Sequence, residues 1–296
     1  MLLQQENAAI DSFLHEYRYP LTTQEPMSEV RPVSSPLQVG AFQDPGIKRR
    51  YRPNEDTIFV ADGIMPATSS LAPAQPFMLL IVADGMGGQA HGQEASQLAI
   101  RSLVEFLSTH LYTQRLSAEY LHILLSESVQ YANQMVYERN RQQHTVMGTT
   151  ITAALVVEHT AYIAHVGDSR LYLYRAADGL SQITLDHSVV AAFVAAGIIS
   201  PDEIYTHPRR NQIYRSLGSG AKVEVDTCAV SLLNQDVLLL CSDGLWEMVR
   251  DPEIAAIVAT PSTTPSECAH RLIQAALEGG GVDNVSAIVA RVNNQE

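Results

Sequence analysis

The sequence predicts an α+β fold in which two antiparallel sheets pack face to face with helices outside. Two observations carry this prediction. The stretches "TTITAALVV", "AYIAHVG" and "RLYLYR" follow one another between 149 and 175 with only short polar turns between them. Turns that short join antiparallel neighbours, because a parallel crossover needs a dozen residues or more. Strand-like segments also lie at both ends of the chain and flank paired helical patterns, an order that suits two stacked sheets with helices on their outer faces.

Taken in order, strands are expected near 37–42, over Thr57 to Ala61 and over Phe77 to Ala83. A helix follows over about Gly92 to Leu111, where Ala95, Leu98, Ala99, Leu103, Phe106 and Leu107 recur at three- and four-residue intervals and so share one face. A second helix over about Ser117 to Arg141 repeats the pattern with Leu121, Leu125, Val129, Ala132 and Val136, behind a Ser suited to capping its free amides. After the three central strands come a helical piece near 187–197, a strand "VLLLCSD", helices near 251–259 and 265–278, and a closing strand "VSAIVARV". Residues 1–35, which lead through the proline-rich stretch "RYPLTTQEPMSEVRPVSSP", read as an N-terminal tail or arm, and 36–296 as one domain.

The bulk composition narrows the function classes. With 296 residues, 46% of them hydrophobic, the chain is long enough to build a sizeable core. A net charge of −13 argues against a nucleic-acid binder, since a polyanion would approach against the field of the whole protein. Three cysteines, Cys228, Cys241 and Cys268, show no C-x-x-C spacing and suggest neither a disulfide framework nor a zinc site. The longest apolar runs, "VVAAFVAAGII" and "MLLIVA", fall well short of the roughly 20 residues of a membrane span. The start "MLLQQENAAIDSF" lacks a basic n-region, so a soluble cytoplasmic protein is expected.

Four aspartates share one setting, a β-rich apolar stretch beside a turn-forming residue: Asp84 in "LLIVADGMGG", Asp168 in "YIAHVGDSR", Asp243 in "LLLCSDGLW" and Asp283 in "GGGVDNVSAIV". A fifth, Asp56 in "RPNEDTIFV", opens a strand. Each Asp-Gly or Asp-Ser pair taken singly is ordinary turn chemistry. Turns alone, however, do not require an Asp behind a run as apolar as "MLLIVA", where a polar group has to be paired or solvated in a cleft. Strand ends are rigid, and a rigid set of carboxylates suits Mg²⁺ or Mn²⁺ better than Zn²⁺. A phosphate-cradling loop is disfavoured, because "DGMGGQAHG" has neither the G-K-[ST] ending nor the G-x-G-x-x-G spacing.

The ordered blocks "RPNED", "VADGMGG", "GTT", "AHVGDSRLYLYR", "LDHS", "HPRRNQIYRSLGS", "LCSDGLWEMV" and "DNVSAIV" resemble the PPM family, the metal-dependent type-2C serine/threonine protein phosphatases, in their bacterial form. The resemblance covers about Leu37 to Val292 and implies a four-layer αββα sandwich with a metal cleft at one end. It implies that Asp84 bridges two Mn²⁺ or Mg²⁺ ions, that the Gly85 carbonyl binds one of them, and that Asp243, Asp283 and Asp56 complete the site. Bacterial members often hold a third, weaker ion, whose ligands here would be Asp168 and Asp243. Two such ions activate a shared water for in-line attack on phosphorus.

A guanidinium is expected to grip the phosphate. The family's usual position falls on Tyr51, leaving Arg52 as the favoured residue and Arg50 as its alternative. Met86 stands where eukaryotic relatives carry a His that protonates the leaving group, and Gln89 where bacterial relatives often do, so His91 is the nearest remaining imidazole. The segment from about 186 to 220 resembles the flap beside the family's active site, with Arg209, Arg210 and His207 as charges that could meet a substrate, and Trp246 is read as a core anchor near the site. The expected activity is removal of phosphate from Ser or Thr of intracellular proteins, substrates of a bacterial-type kinase, by a monomer. A phosphoprotein-binding pseudophosphatase and a small-molecule phosphoesterase remain as rivals, because a fold does not settle a substrate.

Overall fold

Alternation along the third strand sets the layers. Leu79, Ile81 and Ala83 pack with the helices on one side, while Met78, Leu80 and Val82 pack against the other sheet. Successive side chains in a strand point to opposite faces, so a run apolar on both faces marks a strand buried between two layers. The structure is a computed structural model and describes residues 37–65, 75–87, 91–111, 117–260 and 263–293. The expected arm at 1–35 and Gln89 lie outside the described residues.

The strands and helices of the first half are β1 (Leu37–Asp44), β2 (Asp56–Met65), β3 (Gln75–Met86), α1 (His91–His110) and α2 (Ala118–Gln143). Then come β4 (Gly148–Thr149), β5 (Ile151–Val157), β6 (Thr160–Val166), β7 (Arg170–Arg175), β8 (Gly179–Gln182) and α3 (Val189–Ala195). A 3₁₀ turn at Pro201–Tyr205 leads to β9 (Asp226–Ser231), β10 (Val237–Cys241), α4 (Asp243–Trp246), α5 (Asp251–Val258), α6 (Pro265–Glu278) and β11 (Val285–Val292). One sheet runs β1-β11-β10-β7-β8 and the other β2-β3-β5-β6-β9, with β4 beside β3, and the pairings are antiparallel.

Ala154, Val156 and Ile163 of one sheet meet Leu171, Leu238, Leu240 and Ile288 of the other. Leu98, Leu103, Leu125 and Val129 cover the outer face of the six-stranded sheet, and Ile254, Cys268, Leu272 and Ile273 that of the five-stranded one. This is the four-layer order α, β, β, α. Ser117 accepts a hydrogen bond from the Tyr120 amide and so caps α2 as its sequence suggests.

The two strands that sequence reading leaves unassigned, β8 and β9, lie at sheet edges. β9 alternates half-buried and exposed positions and carries no long apolar run. "TTITAALVV" is interrupted at Thr150, where the side-chain hydroxyl, in place of the carbonyl, accepts the Asp84 amide at 2.9 Å. Asp243 does not end a strand: β10 stops at Cys241 and Asp243 begins α4.

Burial pushes the imidazole of His165, in β6, down to about 3, with neighbouring His187 adding to the effect. His165 exchanges hydrogen bonds with Thr152 at 2.9 Å and the Leu185 carbonyl at 3.1 Å. Because the unfolded chain takes up a proton near pH 6.5 and the folded chain does not, stability present above that pH declines as pH falls toward 3. The expected loss is about 2 kcal/mol between pH 7.5 and pH 5. Urea melts of wild type and His165→Asn at both values check this, and an equal pH-dependent loss in the two proteins would sink it.

Candidate active site

Antiparallel register places Asp56 of β2 directly opposite Asp84 of β3. Asp84 sits in a backbone clamp: its carbonyl accepts from the Thr150 amide at 2.8 Å and the Thr149 hydroxyl at 2.9 Å. The Asp56 carboxylate reaches across to the other sheet, where one oxygen accepts from Ser242 and Ser286, each at 2.7 Å. Ser242 precedes α4 but caps nothing: its hydroxyl donates to Asp56, and its oxygen accepts from the Ser286 amide at 3.0 Å.

Asp84, Gly85, Asp168, Asp243 and Asp283 line one cleft of ≈ 670 Å³, together with Arg49, Arg52, Glu55, Met86, Thr150, Asn211 and Ile213. Asp56 stands directly behind, 3% exposed and with one carboxylate oxygen lacking any partner. Arg50 is not among the lining residues and lies over the Tyr51 ring. Of the flap, Asn211 and Ile213 reach the cleft, whereas Arg210 pairs with Glu247 at 3.8 Å and Arg209 and His207 do not line it. His91 sits at the start of α1 beside Gly87, off the cleft wall.

Two cleft residues, Arg49 and Glu55, and one beside the cleft, Asn284, have roles that the sequence does not assign. Arg49 places its guanidinium 2.7 Å from Asp283 and 3.1 Å from Glu55. A turn from Arg49 to Arg52, closed at 2.8 Å, and the Lys48 amide bound to the Gly281 carbonyl hold that arrangement. Asn284 ties the two loops together, accepting from the Glu55 amide at 2.8 Å and donating to the Pro45 carbonyl at 2.9 Å. The signal for Glu55 and Asn284 is their place in "NED" and "DNVS". For Arg49 the spacing gives none.

The electrostatics of the cleft are those of desolvated carboxylates that repel one another. Burial, followed by Asp243, Asp56 and Asp168, raises the Asp84 carboxyl well above its usual range. Burial and the Asp168 charge do the same to Asp243. Burial pushes Asp168 up to about 7, helped by Asp186 and Glu247, and Asp56 to about 6. Carboxylates gathered in one desolvated place mark a functional site.

Whether this set fits metal ions is decided by its unpaired oxygens. Among the described residues, the buried side-chain atoms without a hydrogen-bond partner are Asp56 Oδ1, Asp243 Oδ1 and Glu55 Oε1, all carboxylate oxygens at or just behind the cleft wall. An orphaned buried carboxylate oxygen costs several kcal/mol unless a cation or water meets it. A Cβ on Gly85 would stand 2.0 Å from the Gly92 carbonyl and 2.6 Å from that of Glu55, so glycine is required where the backbone passes the carboxylates. No three Asp, Glu, His or Cys side chains among the described residues cage one ion by themselves. By their unpaired oxygens, the residues fit.

Trp246 holds the Asp168 loop from behind. Its indole N–H donates to the Asp168 carbonyl at 2.9 Å, and Arg170 lies 3.7 Å over its ring. Arg170 also donates to Asp186, the first residue of the flap, at 2.7, 3.0 and 3.1 Å, with side chains only 4% and 3% exposed. Arg170→Ala would leave the Asp186 charge buried without its partner and is expected to cost about 3–5 kcal/mol. A urea midpoint unchanged from wild type would count against it.

A family model described as protein phosphatase 2C matches residues 52–278. The serine/threonine phosphatase Stp of Listeria innocua is 39% identical over 217 residues, which cover 73% of this chain and 84% of the relative. The crystal structure of the Mycobacterium tuberculosis serine/threonine phosphatase PstP/Ppp superposes with a TM-score of 0.72 at 36% identity, over 87% of this chain and 99% of that one. The PstP catalytic domain in complex with 2 manganese ions gives a TM-score of 0.70 at 36% identity, with 87% and 99% covered. The family model spans well over half of the chain and the relatives exceed 30% identity over most of it, and the chain belongs to the protein phosphatase 2C family.

Proposed function

We propose that this protein hydrolyses phosphoserine and phosphothreonine in proteins, using two Mn²⁺ or Mg²⁺ ions held at the carboxylate cleft. The observation that carries the reading is the set of buried, partnerless carboxylate oxygens at Asp56, Asp243 and Glu55 around a cleft that also holds Arg49. Asp84, the Gly85 carbonyl, Asp243 and Asp283 would hold the pair, with Asp56 behind them, and Asp168 with Asp243 a third, weaker ion. Bound there, the ions would lower the pKa of a water and offset charge on the phosphoryl group.

The chain's own residues supply the remainder. Arg49, with Arg52 beside it, grips phosphoryl oxygens through paired N–H donors, for which the phosphate competes with Asp283 and Glu55. Thr150 and Thr149 keep Asp84 from turning away. Met86 lines the cleft and carries no transferable proton, and among the described residues no imidazole lines it, so the leaving alkoxide takes its proton from solvent. Good leaving groups are therefore favoured. No described helix is long and apolar enough to cross a membrane. The phosphatase domain extends over 36–296, acts as a monomer in the cytoplasm, and opposes a bacterial-type serine/threonine kinase.

The test is hydrolysis of a chromogenic phosphate monoester and of a phosphothreonine peptide with Mn²⁺, with Mg²⁺ and with EDTA. Turnover of both that EDTA abolishes is expected. No metal-dependent turnover of either by folded protein would overturn the enzyme reading, and turnover of the ester alone would point to a small-molecule substrate.

A further inference from the structure

Behind Met86 a second hollow of ≈ 490 Å³ opens, lined among others by Tyr137, Val146, Met147, Ser216 and Ser219. Met86 and Gly87 line both this groove and the active-site cleft, so the two adjoin at that wall. Their chemistry is opposite. The cleft is walled by carboxylates and guanidinium groups, whereas none of the groove's lining side chains carries a charge.

Most of the groove's polar side chains are already used, the Tyr137 and Ser216 hydroxyls excepted. Asn140 donates to the Met147 carbonyl at 2.7 Å and to the Gly218 carbonyl at 3.1 Å. It also accepts from the Met147 amide at 2.8 Å and the Thr145 hydroxyl at 3.3 Å. The Ser219 hydroxyl donates to the Ser216 carbonyl at 2.9 Å. What is left for a visitor is a largely apolar surface with two hydroxyls in it. Gly218, at φ +86°, has Val136 2.5 Å from where its Cβ would be, so no other residue fits this wall without displacement. Met86 Cε lies 3.9 Å from the position of a Cβ on Gly148, and Val146 stands at the rim with 89% of its surface exposed.

We infer that this groove is a subsite for an apolar side chain of the phosphoprotein substrate, close in sequence to the phosphorylated residue. The inference rests on the phosphatase reading and deepens it. Because the two hollows share Met86 and Gly87, the groove is within reach of residues next to a phosphorylated side chain held in the cleft, and an uncharged lining selects against the acidic residues that a basic groove would take. Met86 thereby has a role that needs no proton: a flexible thioether adapts to the shape of an aliphatic side chain.

The experiment walks one Leu through the three positions on either side of phosphothreonine in an otherwise Ala and Gly peptide. With Mn²⁺ present, kcat/KM is expected to rise about tenfold at one position, through KM. In Val146→Asp that preference should fall below about twofold while the ratio of peptide to chromogenic-ester kcat/KM drops, and Val146→Ile should keep it. Binding of the same peptides by fluorescence anisotropy, needing no turnover, is expected to rank them alike. A Leu preference in binding without hydrolysis of any substrate would overturn the hydrolase reading and support the subsite. No Leu preference at any position, or equal loss on ester and peptide in Val146→Asp, would overturn the subsite. A concentration-dependent dimer lost in Val146→Asp would overturn it in favour of a second copy of the chain.

Discussion

Replacing Asp84 by Asn is expected to lower metal-dependent hydrolysis of a phosphothreonine peptide by about 10³-fold, equivalent to ~4 kcal/mol of lost transition-state stabilisation. The fold should survive, because Asn is isosteric and the contacts that hold this position run through the Asp84 backbone to Thr149 and Thr150. A second readout does not depend on turnover. Mn²⁺ at a hundred times its dissociation constant stabilises the folded state by ~2.7 kcal/mol, which raises Tm by roughly 5 °C for a chain of this size. The shift should shrink strongly in Asp84→Asn. The chain has one tryptophan, Trp246, bound to the Asp168 carbonyl, so its fluorescence reports metal binding as well. Wild-type turnover in the variant, or an undiminished metal-dependent Tm shift, would remove Asp84 from the centre of the site.

Arg49→Ala is expected to lower kcat/KM for the chromogenic ester by about 10²–10³-fold, the usual effect of removing a donor aimed at developing charge. Arg49→Lys should recover little of it, since an ammonium offers a point charge where a guanidinium offers two parallel donors. Arg52 lines the cleft without an observed carboxylate partner, and its Ala variant should lose about tenfold or less. Arg50, over Tyr51 and outside the lining, should matter least. Steady-state kinetics on the three Ala variants decide it. A large loss at Arg52 with little at Arg49 would return the role to the residue that spacing favours.

The ordering of these arginines shows what kind of information a sequence holds. The carboxylates were legible because their setting is local: Asp84 follows six apolar residues, and Asp283 precedes a strand two residues on. A strand has one direction and one period, so a residue's place along it translates into a place in space. Arg49 sits in a loop, and a loop has no period. Its guanidinium reaches Asp283 because the Lys48 amide is bound to Gly281 and Pro45 to Asn284, more than two hundred residues away in the chain. Counting back from "NED" cannot register those bonds.

Glu55 and Met86 divide along the same line. Both stand in motifs that are plain in the sequence, but that Glu55 Oε1 is buried without a partner, or that Met86 separates a charged cleft from an uncharged groove, depends on packing between distant segments. The sequence by itself determined the α+β class and most of the strands and helices, since periodicity, capping and turn chemistry act over a few residues, and the acids of the site were legible through their motifs and the family resemblance those motifs carry. Tertiary structure alone decided which arginine faces the acids, which serines hold Asp56, and what Met86 borders. Those are contacts between side chains whose positions follow from sheet register and loop anchoring, which local residue patterns do not encode.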